Sequence, residues 1–265
     1  MERVYDDLID KGLGKIATIG PKGRLFARYD KRRQGRKTED IKDLDGRIFA
    51  ILVNGEKVSP EIQRICNKLQ FYVPKENLVV LEGDGNPRKL GRYAASKEDI
   101  FNAFDYVRKN AEPTDRLFFY MMRHGDIKDG IPLIKLYSEI MDADEFEIMA
   151  KDLPVNYGVF HFTQCSGGGF AERIGKGRYI GISNCSKYED SLNFSRSSNQ
   201  DLKMDFVSEI FKPGISINDA FDNVVLKTTG LLERIALKAL TEFKAQTPQL
   251  FYENADPSKL HFYGR

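Results

Sequence analysis

The 265 residues contain three histidines, His124, His161 and His261, and three cysteines, Cys66, Cys165 and Cys185. One of each follows an apolar run: His124 closes RLFFYMMRHG, and Cys165 closes YGVFHFTQC ahead of Ser166-Gly167-Gly168-Gly169. A thiol and an imidazole in such positions suit nucleophilic catalysis. The attacking species is a thiolate, so a base or cation must stand beside it. His124 can fill that place and later protonate a leaving amine. The attacked carbonyl becomes an oxyanion, which backbone N–H groups at a glycine-rich turn stabilise; Gly125 and the Cys165 amide are the candidate donors. The three glycines after Ser166 would let the chain turn and admit an extended substrate.

Other chemistries fit less well. The cysteines and histidines lack the Cys-x-x-Cys spacing of a zinc site, so no structural metal is expected. An odd, low cysteine count excludes a disulfide framework. Ser-Gly-Gly-Gly could instead cradle an anion at a helix start. It lacks both the Gly-Lys-Ser/Thr ending of a phosphate loop and the Gly-x-Gly-x-x-Gly order of a dinucleotide fold. His161 alternates within its apolar run and reads as a packed core residue, as does Cys66 on a helical face with Ile62, Ile65 and Leu69. Cys185 falls near the same cleft without a feature that marks it as a nucleophile.

These residues need a frame. RIFAILV (47–53), LVVL (78–81), RLFFYMM (116–122), YGVFHFT (157–163) and YIGIS (179–183) are short apolar runs suited to buried parallel strands. Helical patterns stand between them: one after Ser59-Pro60, one after Ser96 carrying Ile100, Phe104 and Val107, and one over 144–151. Others follow at 205–212 and from Ser216 to Val224; Gly230 breaks this last pattern ahead of 231–243. TPQLFY (247–252) reads as a last strand. Strands separated by helices predict an α/β three-layer sandwich with a mostly parallel central sheet. Such sheets bind ligands beyond the carboxyl ends of their strands. If the strands before His124 and Cys165 are neighbours, their ends lie about 5 Å apart.

Composition bounds the alternatives. Hydrophobic residues make up 41% and charged residues 30%, as in ordinary globular chains and unlike disordered ones. A net charge of +2 gives no field for a nucleic-acid coat. No apolar run is long enough to span a bilayer and the N-terminus lacks a signal-peptide pattern, so a cytoplasmic protein is expected. Residues 1–45 are polar, with a basic cluster from Lys31 to Lys37, and read as an extension; residues 46–265 read as the catalytic domain.

RLFFYMMRHG followed by YGVFHFTQCSGGGF resembles the catalytic core of the caspase–legumain superfamily of cysteine peptidases, most closely its prokaryotic caspase-like and metacaspase branch. The His–Cys separation is 165 − 124 = 41 residues, against about 50 in caspases. RIFAILVNG resembles the family's first strand, and GRYIGISNCSKYEDS the strand and loop after its cysteine, so the resemblance spans about Arg47 to Tyr252. It implies a cysteine endopeptidase acting on peptide or protein substrates through a Cys–His dyad, with no organic cofactor. Cys165 would be the nucleophile, His124 the acid/base, Gly125 and Cys165 the oxyanion donors, and Ser183 and Asn184 cleft-lining residues. The chain departs from the family at Thr163, where metacaspases carry an acidic residue; Glu56 is the other candidate to meet a basic substrate side chain. The same resemblance admits a catalytically inactive interaction or regulatory module, and the glycine-rich turn admits an α/β nucleotide-binding protein. Asp126 and Asp129 are candidates for the calcium dependence of some relatives. The Ser/Asn-rich stretch Asp190–Lys203 reads as a mobile loop able to gate the cleft, with Arg196 and the Lys31–Lys37 cluster as processing points.

Overall fold

The computed structural model describes residues 18–19, 25–26, 46–54, 60–82, 95–122, 124–136, 139–176, 178–191, 202–225 and 248–262. Within the otherwise undescribed 1–45 region, Thr18–Ile19 (β1) and Leu25–Phe26 (β2) pair antiparallel. The 31–37 cluster, Gly55–Ser59, Arg196 and the stretch 226–247 lie outside the described residues.

The predicted strands form one sheet. Ile48–Asn54 (β3), Leu78–Glu82 (β4), Arg116–Met122 (β5), Tyr157–Phe162 (β9), Tyr179–Ser183 (β10) and Gln249–Phe251 (β11) run in the order β11-β10-β9-β5-β3-β4. The pairings are parallel except that β11 is antiparallel to β10 at the edge. β3, β9 and β10 are buried along their whole length, which is why they read as unbroken apolar runs rather than alternating ones.

Helices cover both faces. On one lie Pro60–Leu69 (α1), Leu202–Ile210 (α5) and a helix over 217–225; on the other lie Lys97–Asn110 (α2), Ala143–Ala150 (α3) and Gly167–Ile174 (α4). Local chemistry fixes their starts. The Ser96 hydroxyl accepts the Asp99 N–H. Asp142 and Glu145 form a reciprocal capping box, and Ser216 accepts the Asp219 N–H. Under α2–α4 the core is aromatic: Phe104 stacks on Phe119 at 5.4 Å, and Phe146 sets its ring edge-on to Phe162 and Phe170. Under α1 and α5, Phe118, Phe211 and Phe262 do the same. Cys66 and His161 are buried core residues, as their spacing predicts.

One element departs from the sequence expectation. The segment after His124 is a separate antiparallel sheet of Gly125–Lys128 (β6), Ile131–Lys135 (β7) and Ile140–Asp142 (β8). Asp129 and Gly130 make its two-residue turn with φ of 52° and 79°, the left-handed pair that matches hairpin twist. Asp126 pairs with Lys135 at 2.7 Å. Turn geometry and an ion pair therefore account for both aspartates.

Candidate active site

Register brings together the strand ends that lead to His124 and Cys165. β5 and β9 are adjacent parallel strands, and their last paired residues are Met121 and Phe162. His124 and Cys165 each stand three residues further on. The Thr163 N–H still donates to the Met121 carbonyl at 3.0 Å. Beyond that the chains part, β5 into the β6–β8 sheet and β9 into a tight turn.

That turn carries Cys165. Gly167 N–H donates to the Gln164 carbonyl at 3.1 Å, Ser166 takes a left-handed φ of 57°, and α4 begins. The turn touches the other strand end directly. A Cβ on Gly125 would stand 1.8 Å from the Cys165 carbonyl oxygen. Only a residue without a side chain permits so close an approach. The His124 carbonyl accepts the Lys135 N–H at 3.0 Å. Antiparallel alternation then turns the Gly125 N–H away from β7. His124 itself is exposed, and Cys165 is half-buried.

The thiol's surroundings hold its proton. Burial pushes Cys165 above the ordinary thiol range. The Ser191 N–H, donating to Sγ at 3.3 Å, opposes this, while the Asp190 carboxylate beside the thiol raises it further. The start of α4 favours a thiolate and so acts against burial and Asp190. The segment that brings these groups is tied to the cysteine turn: the Ser166 N–H donates to the Glu189 carbonyl at 2.9 Å, and the Cys185 thiol to the Gln164 carbonyl at 3.3 Å. Cys185 is buried, which pushes its thiol up to about 11.

Ser183 and Asn184 lie at the end of β10 with their side chains turned inward. Ser183 Oγ donates to the Cys185 carbonyl. Asn184 Oδ1 meets His161 Nε2 at 2.8 Å within the core. Both residues are nearly inaccessible, 1% and 2% exposed, so what they offer a cleft is shape and backbone. His261 lends its carbonyl to the Tyr157 hydroxyl.

The glycines after Ser166 do not open a passage. Gly167–Gly169 form the buried first turn of α4. A Cβ on Gly169 would strike the Pro132 ring at 2.1 Å, and one on Gly168 the Lys187 amide at 2.7 Å. Their role is to let β7 and the 186–191 segment close around the cysteine turn. Sequence reasoning puts Asp190 and Ser191 in a stretch beside the cleft but misses their contact with the thiol, since no local pattern reports a contact 25 or 26 residues away. It also misses Gln164, whose buried amide lies next to the cysteine. The Asp129-Gly130 dipeptide is the one available signal for the β6–β8 sheet.

Among the described residues no group of three or more His, Cys, Asp and Glu could hold a metal ion, and no helix is long and apolar enough to cross a membrane. No protein family matches this sequence, and no curated protein is detectably similar to it. Its fold is shared. Protein GSU0716 from Geobacter sulfurreducens superposes with a TM-score of 0.51 at 13% identity, over 81% of this chain and 97% of that one. The Drosophila initiator caspase Dronc matches over 86% of this chain and 91% of its own, at 10% identity and a TM-score of 0.47. drICE matches over 79% and 89%, at 11% identity and 0.43. The chain is a mixed α/β protein with a mostly parallel six-stranded sheet, an architecture it shares with the Geobacter protein. An identity of 13% speaks to fold alone and leaves activity to the chemistry of the site.

Proposed function

We propose that the chain is a cysteine endopeptidase that hydrolyses peptide bonds of peptide or protein substrates. The observation that carries this reading is the in-register meeting of the β5 and β9 ends. His124 and Cys165 each follow the last paired residues by three positions, and Gly125 lies against the Cys165 carbonyl, which supports this reading. His124 takes the Cys165 proton, and the thiolate attacks the substrate carbonyl carbon. A C–S bond forms, and the carbonyl oxygen becomes an oxyanion that the Gly125 and Cys165 N–H groups stabilise. As the oxyanion collapses the C–N bond breaks, and His124 delivers the proton to the departing amine. A water molecule, deprotonated by His124, then attacks the thioester; the C–S bond breaks, and acid and thiol are regenerated. Ser183 and Asn184 shape the floor of the substrate cleft. No cofactor is needed for these steps.

A second reading, a caspase-like interaction module without activity, is favoured by one observation. Burial and the Asp190 carboxylate raise the Cys165 thiol above its ordinary range, against the Ser191 N–H that donates to it. Profiling cleavage of a peptide library by the wild type, Cys165→Ala and His124→Ala separates the two. Cleavage by the wild type alone supports the peptidase; no cleavage by any form, with the protein folded, supports the module.

A further inference from the structure

Gln164 is 1% exposed, yet neither its Nε2 nor its Oε1 has a hydrogen-bond partner. A buried amide left unsatisfied is costly, while an apolar side chain of the same shape would cost nothing there. Among its polar neighbours Thr163, Ser183 and Asn184 are bonded, while the Ser191 hydroxyl is also without a partner. Gln164 is also placed where such a group matters. Its main-chain carbonyl accepts from both Gly167 N–H and the Cys185 thiol, which fixes the cysteine turn from below. Its side-chain stem runs toward β6, with Cγ 3.1 Å from where a Gly125 Cβ would stand. The unpaired amide therefore sits at the seam between the turn carrying Cys165 and the sheet that begins at Gly125.

We propose that Gln164 is a positioning residue for the reaction. When substrate engages, its amide closes hydrogen bonds to the His124–Gly125 main chain across this seam and fixes His124 against the Cys165 sulfur. The proposal rests on the peptidase reading and adds to it a residue acting through the backbone, without touching substrate. In the resting arrangement the amide destabilises; in the reactive arrangement it is satisfied. The seam is short of one locking contact until the site is filled.

The test is Gln164→Met, which keeps length and volume and removes both polar atoms, with Gln164→Asn as the conservative variant. We expect Gln164→Met to melt at the same temperature as the wild type or higher. Its kcat should fall about 10- to 100-fold with KM little changed, as expected for sub-ångström misalignment of reacting groups. Gln164→Asn should recover part of the loss. Alkylation of Cys165 by a peptide acyloxymethyl ketone, which fills the site as it reacts, followed by mass spectrometry across pH, reads the same alignment without any hydrolysis. It should be slower in Gln164→Met, with a displaced pH profile. A lowered melting temperature would show that the amide is already bonded and structural. An unchanged kcat, or an unchanged alkylation profile, would show that it positions nothing; either result overturns the proposal. A wild type that cleaves no peptide would overturn the peptidase reading instead, and the alkylation profile would still decide whether Gln164 aligns the pair.

Discussion

Gly125→Ala is the perturbation whose consequence the geometry states most sharply. The added methyl would stand 1.8 Å from the Cys165 carbonyl oxygen and 2.8 Å from its carbon. Both are backbone atoms, so no side-chain rotation relieves the clash. Real contacts of this kind begin near 3.0 Å. The β6 hairpin and the cysteine turn must therefore separate by at least the difference, 1.2 Å. Overpacking of this sort costs about 1–3 kcal/mol. For a chain of this size that lowers the melting temperature by about 2–4 °C per kcal/mol. The effect on reaction is larger, because a misplacement of about 1 Å costs roughly 100-fold in rate. The assay is kcat on a cleaved peptide together with a melting curve. Gly130→Ala is the matched control: it lies in the same hairpin at φ +79° with nothing within 4 Å of its Cβ. It should cost about 1–2 kcal/mol through strain alone and leave kcat intact. If Gly125→Ala retains wild-type kcat, or loses no more than Gly130→Ala, the strand ends do not meet as described.

Asp190→Asn removes a carboxylate that raises the Cys165 thiol, so its alkylation at neutral pH should be faster than in the wild type; an equal or slower rate would mean that Asp190 does not face the sulfur. Cys165→Ala should abolish hydrolysis and leave the melting temperature nearly unchanged, whereas Cys66→Ala, in the core under α1, should cost about 1 kcal/mol and leave kcat alone. Asp115 is buried, which alone would raise its pKa. The Arg47 guanidinium and the Glu112 and Arg47 N–H groups outweigh that and hold it below the ordinary value. Its folded pKa is depressed, so its stabilising contribution is present above the unfolded carboxylate range and is lost as pH falls through the folded value. In acid melting, Asp115→Asn should therefore show a shallower decline than the wild type, and an identical slope would refute the linkage.

The strand ends before His124 and Cys165 are legible because β5, β9 and β10 are buried on both faces. Burial forces unbroken apolar runs, whose ends are marked by the first polar residues. β5 and β10 begin and end where the pattern does. β9 stops at Phe162, one residue before the apolar pattern ends, although Thr163 N–H still bonds to β5. The β6–β8 sheet is different. Its strands are three to five residues long, half exposed and interrupted by Pro132, so their alternation is too short to stand out from a loop. The glycines after Ser166 look like an open turn in sequence because glycine reports only the absence of a side chain. Which neighbours fill the vacated space, here Pro132 and Lys187, is a matter of tertiary packing. The contact of Asp190 and Ser191 with the thiol is likewise long-range. So is the inward turn of Ser183 and Asn184, set by core partners such as His161 rather than by strand period.

The central claim is that Cys165 and His124 act as one unit. It is tested most directly by intact-mass and peptide-mapped labelling with peptide acyloxymethyl ketones, thiol-directed electrophiles that need an activated nucleophile. One adduct per chain is expected, on Cys165. It should be absent in Cys165→Ala and slower by about 100-fold or more in His124→Ala, in keeping with the contribution of a positioned acid–base group. Adducts on Cys66 or Cys185, or labelling of Cys165 at the same rate without His124, would contradict it.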